Sequence, residues 1–216
     1  MKRKIIILLL VVMASSACSN VSRLDMENVL SLAMDSKSDV TNISRAGYRY
    51  YLPKGMRIVR HVGNNEILVV RNNSYYLYVD SVSYYHKVKN NYQVKNDVYY
   101  SKSLGDDDLF GYIEVKTTSN DKYYLEIMYN YAKIEVMVDK EYLNEAILYS
   151  MSILTSVDYQ DVVLRSFMED DVLASNEVEH NIFETADTES DYLQVLETYG
   201  QYEEKDESVD PDFIRR

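Results

Sequence analysis

Hydrophobic and polar residues alternate along the middle of the chain with the period of two that is typical of β-strands. Two consecutive runs show this most clearly: KYYLEIMYN, with Tyr123, Leu125, Ile127 and Tyr129 on one face, and AKIEVMVD, with Ile134, Val136 and Val138 on one face. The turn signals LPKGM, GNNE, RNNS, LGDDD and TSND separate such runs. Because connections this short join antiparallel strands, the pattern predicts hairpins and a meander.

Two segments that flank the predicted strands have the period of amphipathic helices. The first, SRLDMENVLSLAMD, begins with Ser22 and Asp25 spaced like a capping pair. Its apolar residues share one helical face: Met26, Val29, Leu30 and Ala33. The second helix follows Asp139 at the N-cap position, and its stripe consists of Leu143, Ala146, Ile147, Ser150 and Leu154. Helices that pack on an antiparallel sheet make an α+β fold.

Charge is distributed unevenly, and this predicts where the compact domain ends. The whole chain has a net charge of −12, but residues 18–157 are nearly neutral and residues 158–216 carry a large acidic excess. We therefore predict an α+β domain over 24–159. We also predict a helix over 160–173 that uses Val162, Val163, Phe167 and Leu173, and an acidic, partly disordered tail over 174–216.

The N-terminus has the order of a secretory signal: MKRK, then the apolar run IIILLLVVM, then small residues before Cys18. The stretch ASSAC resembles a bacterial lipoprotein box, although Ser15 stands where a leucine is usual. The resemblance implies a signal peptide over 1–17, a tether over 18–23 and a diacylglyceryl group on Cys18. Lipidation would hold the protein at the cell membrane, on its extracellular face, and would use the only thiol in the chain. An ordinary secretory signal is the alternative.

Two stretches resemble the PsbP-like superfamily, named for an accessory protein of photosystem II. AGYRYYLPKGM at 46–56 resembles the opening aromatic strand and its proline and glycine turn, and EAILYSMSILTSV resembles the closing helix. The resemblance covers about residues 45–157, and Met56 replaces a frequent tryptophan. It implies an α/β/α sandwich with an accessory or binding role and no shared catalytic residue. The composition, which is rich in Tyr, Asn, Lys and Ile, also resembles that of proteins from low-GC Gram-positive bacteria.

Sequence motifs for catalysis, cofactors and metals are absent. The three histidines, His61, His86 and His180, lack metal-binding spacing, and the six glycines form neither a phosphate-binding nor a dinucleotide-binding loop. GDDDLFG offers three carboxylates that could bind calcium, but consecutive aspartates do not have the spacing of an EF-hand loop. The basic residues are balanced by acids, which disfavours nucleic acid. We predict no cofactor, no metal and no enzymatic activity.

Two features are candidates for partner binding. A half-exposed face of tyrosines could bind protein or glycan, although tyrosine also fits ordinary sheet packing. In the tail, short apolar islands lie among acids, which is typical of a segment that folds on binding, with a basic protein as the candidate partner. A solvated tail without a partner is the alternative. The candidate contact residues are Tyr192, Leu193, Leu196, Tyr199 and Phe213.

These observations predict a lipid-anchored, non-enzymatic accessory or adaptor protein of a bacterial envelope complex. A lipoprotein that binds a solute or glycan is the first alternative, and an envelope hydrolase is the second. A closed apolar pocket would favour the solute, a flat exposed patch would favour a protein partner, and a histidine beside a carboxylate in a cleft would favour catalysis.

Overall fold

A computed structural model describes residues 21, 24–35, 40–89, 91–105 and 109–169. Its centre is a seven-stranded antiparallel sheet with the strand order β3-β4-β5-β9-β8-β7-β6. The strands are β3 (Arg57–Val62), β4 (Asn65–Val70), β5 (Asn73–Val79), β6 (Tyr100–Gly105), β7 (Phe110–Thr117), β8 (Lys122–Tyr129) and β9 (Ala132–Asp139). The antiparallel sheet with helices confirms the predicted α+β class.

The alternation of apolar residues sets the register of the central hairpin. Leu125 pairs with Val136, and Ile127 pairs with Ile134, so the apolar face of β8 continues into that of β9. These four side chains have no exposed surface. A shift of one residue would turn the same side chains to the opposite face, and the register is therefore strongly specified.

In the part of the chain that the structure describes, four α-helices and a short 3-10 helix accompany the sheet: α1 (Met26–Asp35), α2 (Ser81–His86), the 3-10 helix (Lys140–Tyr142), α3 (Leu143–Leu154) and α4 (Asp161–Glu169). Helix α3 contacts β8 and β9 on one side and α1 on the other. All five residues of its predicted stripe are buried. The apolar faces of α1 and α3 therefore join the sheet in one hydrophobic core.

The helix starts differ in detail from the predicted caps. Asp25 itself caps α1, because its Oδ1 accepts the Asn28 backbone N–H at 2.9 Å; Ser22 lies outside the described residues. Asp139 makes no side-chain cap, and the chain forms the 3-10 turn before α3 begins at Leu143. The tight turn satisfies backbone groups that a capping side chain would otherwise serve.

A second, three-stranded sheet with the order β1-β2-β10 packs beside the main core. Its strands are β1 (Ile43–Ser44), β2 (Tyr48–Tyr50) and β10 (Asp158–Tyr159). Because β10 pairs with β2, the segment after α3 returns to the segment that precedes the main sheet. Tyr48 and Tyr50 are fully buried here.

Helix α4 follows β10, and its most buried residue is one that the predicted stripe omitted. Leu164 is fully buried in the core, whereas Val162 is 84% exposed and Val163 is 38% exposed. The prediction is therefore wrong for Val162 and Val163, whereas Phe167 is half-buried and Leu173 lies outside the described residues. The packed core reaches beyond Tyr159 and includes α4.

Candidate functional site

An open groove of about 760 Å³ runs along the outer side of α3, between this helix, α1 and the loop that follows β2. We call it the α3 groove. Its lining residues are Val21, Leu32, Ala33, Tyr51, Pro53, Arg71, Glu141, Tyr142, Glu145, Leu148, Tyr149 and Ser152. Concave surfaces with apolar walls and a few convergent polar groups are the usual form of binding sites.

The helical period of α3 explains how one helix serves both the core and the groove. Glu145, Leu148, Tyr149 and Ser152 recur at spacings of three and four residues and therefore share one helical face. Each of these side chains is partly exposed. The buried stripe lies on the rest of the helix. The groove face is thus the part of α3 that the sheet and α1 leave accessible.

Arg71, in the turn between β4 and β5, provides the polar centre of the groove. Its backbone is in the left-handed region with φ +53°. One guanidinium nitrogen donates to Glu145 Oε2 at 2.7 Å, and the guanidinium carbon lies 5.4 Å from the centre of the Tyr142 ring. These two contacts hold the arginine against the start of α3.

Tyr149, one of the aromatic residues that line the groove, packs against the hydrophobic core. Tyr149 contacts the buried Tyr75 edge to face, with ring centres 6.3 Å apart. Burial, and then the negative charge of Glu145, raise the pKa of the Tyr149 hydroxyl. The hydroxyl is protonated at neutral pH, as in any tyrosine of ordinary or raised pKa, and it is hydrogen-bonded to Glu145.

The charged lining of the groove is slightly acidic. Glu141 and Glu145 face a single cation, Arg71, which Glu145 already engages. Leu32 adds an apolar surface that is 42% exposed. This combination suits a polypeptide segment that presents an apolar or aromatic side chain beside a basic one.

A second polar cluster lies on the face of the sheet opposite to α3. Glu114 pairs directly with Glu126 across β7 and β8, and Glu126 pairs with Glu135 across β8 and β9. Like charges in directly opposite positions destabilise a sheet. Glu114 and Glu135 are nevertheless buried, so neighbouring groups must compensate their charges.

Tyrosine hydroxyls and a lysine compensate two of these carboxylates. Glu126 accepts hydrogen bonds from the hydroxyls of Tyr112 and Tyr124, the latter at 2.9 Å. The Lys133 ammonium lies 2.7 Å from Glu135. The row of glutamates is therefore part of a network of ion pairs and hydrogen bonds that stabilises the sheet.

Glu114 receives three donors. The Tyr92 hydroxyl donates to Oε2 at 2.8 Å, the Lys95 ammonium donates to Oε1 at 3.0 Å, and the Lys116 ammonium lies 2.9 Å from Oε1. Burial alone would raise the pKa of the Glu114 carboxyl, but the bonds from Lys116, Lys95 and Tyr92 outweigh it and lower this pKa. Burial also raises the pKa of Tyr92 to about 12, which keeps its hydroxyl a donor.

We expect Glu114→Gln to reduce the loss of stability in acid. A lowered pKa in the folded state means that the carboxylate stabilises the fold above its unfolded pKa, and that this contribution disappears as the pH falls through the folded pKa. Urea unfolding over a pH series, from neutral to strongly acidic, measures the effect. Lys95→Met should move the loss of stability in acid to higher pH, because it removes one of the donors that lower the pKa of Glu114. Identical pH profiles for Glu114→Gln and the parent chain would contradict the prediction.

Several tyrosines of the strands are packed within the sheet, whereas Tyr76, Tyr78 and Tyr112 are half-buried. Tyr75, Tyr123, Tyr124 and Tyr129 are all at least nine-tenths buried. The three tyrosines of the α3 groove, Tyr51, Tyr142 and Tyr149, come from other places in the sequence. Sequence reasoning missed these residues because nothing local distinguishes them; only the spacing of Glu145 and Tyr149 on one helical face gave a signal.

The structure brings one histidine near a carboxylate, outside the groove. His61 Nδ1 lies 3.8 Å from Glu66 Oε1, but this carboxylate already accepts two bonds from Arg45 and one from Tyr50. His86 is exposed and contacts Tyr85 edge to face. Among the residues that the structure describes, no group of three His, Cys, Asp or Glu side chains could hold a metal ion.

Several predicted sites lie outside the described residues. These are Cys18 and the tail residues Tyr192, Leu193, Leu196, Tyr199 and Phe213; His180 and the aspartates of GDDDLFG, for which no site was predicted, also lie outside them. The predicted sites remain predictions from the sequence. Within the described ranges, no helix has the length and apolar character needed to cross a lipid bilayer.

Comparison of the chain with protein-family models, curated proteins and solved structures finds no match.

Proposed function

We propose that this protein is a non-enzymatic, lipid-anchored accessory or adaptor protein on the outer face of a bacterial membrane, and that the α3 groove binds a segment of a partner protein. The observation that carries the proposal is the open groove, with exposed Leu32 and three tyrosines around a single arginine and carboxylate pair. An open groove accommodates an extended polypeptide more readily than it encloses a small solute.

The charge of the groove supports a partner segment with a basic residue. A cation placed near Glu141 would find a carboxylate that is exposed at the rim. An anionic ligand would instead meet two glutamates and an arginine that is already paired. Basic partner chemistry is therefore favoured over acidic chemistry.

The anchor rests on the N-terminal sequence, with its basic start, apolar run and Cys18 after small residues. Two or more acyl chains on this cysteine would hold the protein durably, since each buried CH₂ contributes about 0.8 kcal/mol. The proposal also includes a PsbP-like domain. The order of the elements supports this part of the proposal. Strand β2 leads into a turn in which Gly55 has φ +89°, the antiparallel sheet follows, and helix α3 comes after the sheet.

Cys18→Ala should release the protein from the membrane or leave it unprocessed, because the thiol that accepts the lipid would be gone. Fractionation of cells into membrane and soluble material, together with the mass of the N-terminal peptide, measures this. Ser19→Ala is the matched control and should stay in the membrane fraction. If Cys18→Ala is still processed and membrane-bound, the anchor is not at this cysteine.

Leu32→Asp should reduce recovery of the partner at least tenfold in crosslinking purification from native membranes. It places a charge on the apolar wall of the groove, and losing the burial of a leucine is worth about 1.5 to 3 kcal/mol. Val162→Asp is the control, because Val162 is 84% exposed on α4 and lies outside the groove. Equal recovery with both variants would rule out the groove as the binding site.

A further inference from the structure

The segment before α1 lies at the groove, where the side chain of Asn144 binds it to α3. The amide nitrogen of Asn144 donates to the carbonyl oxygens of Val21 and Leu24, each at 2.8 Å. Both amide hydrogens are thereby used, and the residue is only 9% exposed. The Leu24 backbone N–H also donates to the Val21 carbonyl, at 3.1 Å. Val21 is therefore held in place against the first turn of α3.

The position of Asn144 defines one end of the sheet, which we call the anchor end. Helix α3 follows the last residues of β9, and Asp139 of β9 pairs with Lys122 at the start of β8. The turn 118–121 therefore lies at this end. The turn between β4 and β5 lies there too, since Val70 pairs with Asn73 and Tyr75 pairs with Val136. The turn between β3 and β4 lies at the opposite end.

Val21 lies three positions after Cys18, with only two residues between them. A fully extended chain of this length spans about 10 Å. Val21 also lines the α3 groove. A lipid on Cys18 would therefore hold Val21, and with it one end of the groove, within about 10 Å of the membrane surface. The two bonds from Asn144 tie this point to the first turn of α3 and so favour an orientation with the anchor end towards the membrane.

We infer that the anchor end faces the membrane, and that the α3 groove takes a segment of a membrane-embedded protein where it leaves the bilayer. This inference rests on the proposed lipidation of Cys18 and deepens the proposed function by naming the class of partner. A short tether gives the groove a high effective concentration of binding segments in the same membrane. It also leaves little space for a bulky soluble protein.

The groove chemistry favours a polypeptide over a lipid headgroup as the occupant. A phosphate group would need an available cation, but Arg71 donates to Glu145 and Glu141 adds a second negative charge. Tyr142 and Tyr149 present aromatic surface with hydroxyl groups, as protein interfaces commonly do. We therefore assign the groove to a protein segment.

The orientation can be measured with tryptophan reporters, because the chain contains no tryptophan. Asn120→Trp places a reporter in the turn at the anchor end, and Val62→Trp places one at the opposite end, where Val62 is 51% exposed. The ends of an eight-residue strand are about 24 Å apart. Residues 18–216 would be coupled through the Cys18 thiol to maleimide lipids in phosphatidylcholine vesicles that carry dansyl headgroups.

Energy transfer to the dansyl groups should be at least twofold greater from the reporter at position 120 than from the reporter at position 62. A flexible Gly and Ser linker of about 20 residues after Ser19 should abolish the difference, since it frees the orientation. Asn144→Ala should reduce it. Equal transfer from the two reporters with the native tether, or greater transfer from position 62, would overturn the inferred orientation.

The class of partner can be tested separately in native membranes with a photoreactive benzophenone side chain at Ser152, in the groove, and at Val62 as the control. We expect a crosslinked protein specific to position 152 that remains in the membrane after alkaline extraction. A product that is extracted, a lipid product, or no product specific to position 152 would overturn the inference about the partner. Because chemical coupling does not depend on processing in cells, failure of the anchor proposal and failure of the orientation give different results.

Discussion

Leu164→Ala should lower the free energy of unfolding by about 2 to 5 kcal/mol, the range for a fully buried leucine. Leu164 has no exposed surface, and it lies so close to β2 that a Cβ atom on Gly47 would be 2.3 Å from its Cδ2. The Gln160 N–H also donates to the Gly47 carbonyl at 2.8 Å. This single residue therefore fastens α4 to the small sheet.

Urea unfolding of residues 18–216 measures the change, and Val162→Ala is the matched control on the same helix. Because Val162 is 84% exposed, its replacement should change stability by no more than about 0.5 kcal/mol. A chain of residues 24–159 should likewise be less stable than one of residues 24–169, since only the longer chain contains Leu164. Equal effects of Leu164→Ala and Val162→Ala would show that α4 is not docked.

Arg45→Met should destabilise the fold by about 3 to 5 kcal/mol, because it leaves a buried carboxylate without its cation. The Glu66 side chain is fully buried, and its oxygens accept two bonds from Arg45, each at 2.9 Å. The Tyr50 hydroxyl donates a third bond at 2.9 Å. The Arg45–Glu66 pair joins the segment before β2 to strand β4, so losing the pair should destabilise both sheets.

Two further variants separate charge from packing at this site. Arg45→Met combined with Glu66→Gln should recover more than half of the loss, since a neutral amide can still accept the Tyr50 bond. Arg71→Met is the control for an exposed pair, because the Arg71 side chain is 58% exposed, and it should cost at most about 1 kcal/mol. A loss from Arg45→Met no larger than that from Arg71→Met would mean that Glu66 is solvated rather than buried.

Local periodicity predicted the main elements because each depends on residues that are neighbours in the sequence. The alternation in β8 and β9 and the stripe on α3 specify which side chains face the core. The short turn signals specify antiparallel connections. For these elements the pattern along the chain and the packing in the fold express the same constraint, which is the burial of one apolar face.

Period-two patterning could not reveal that the second face of the central strands is also well covered. Glu114 and Glu135 look like solvent-facing residues in an alternating strand, yet they are buried. The burial of Glu114 depends on Tyr92, Lys95 and Lys116, and that of Glu135 on Lys133. A buried charge is tolerated only where such partners converge, and no local pattern encodes that convergence.

By itself, the sequence determined the α+β class, the antiparallel hairpins, the two amphipathic helices and the expectation of a lipid on Cys18. Only the tertiary structure decided that Leu164 rather than Val162 is buried, that Glu66 is paired by Arg45, and that the turn at Arg71 meets α3 to form a groove. The physical reason is the separation along the sequence of the residues that interact. Strand and helix patterns depend on residues that are near neighbours in the chain. A groove and a buried ion pair require side chains more than 20 residues apart to meet, as in the separation of Arg71 and Glu145 by 74 residues.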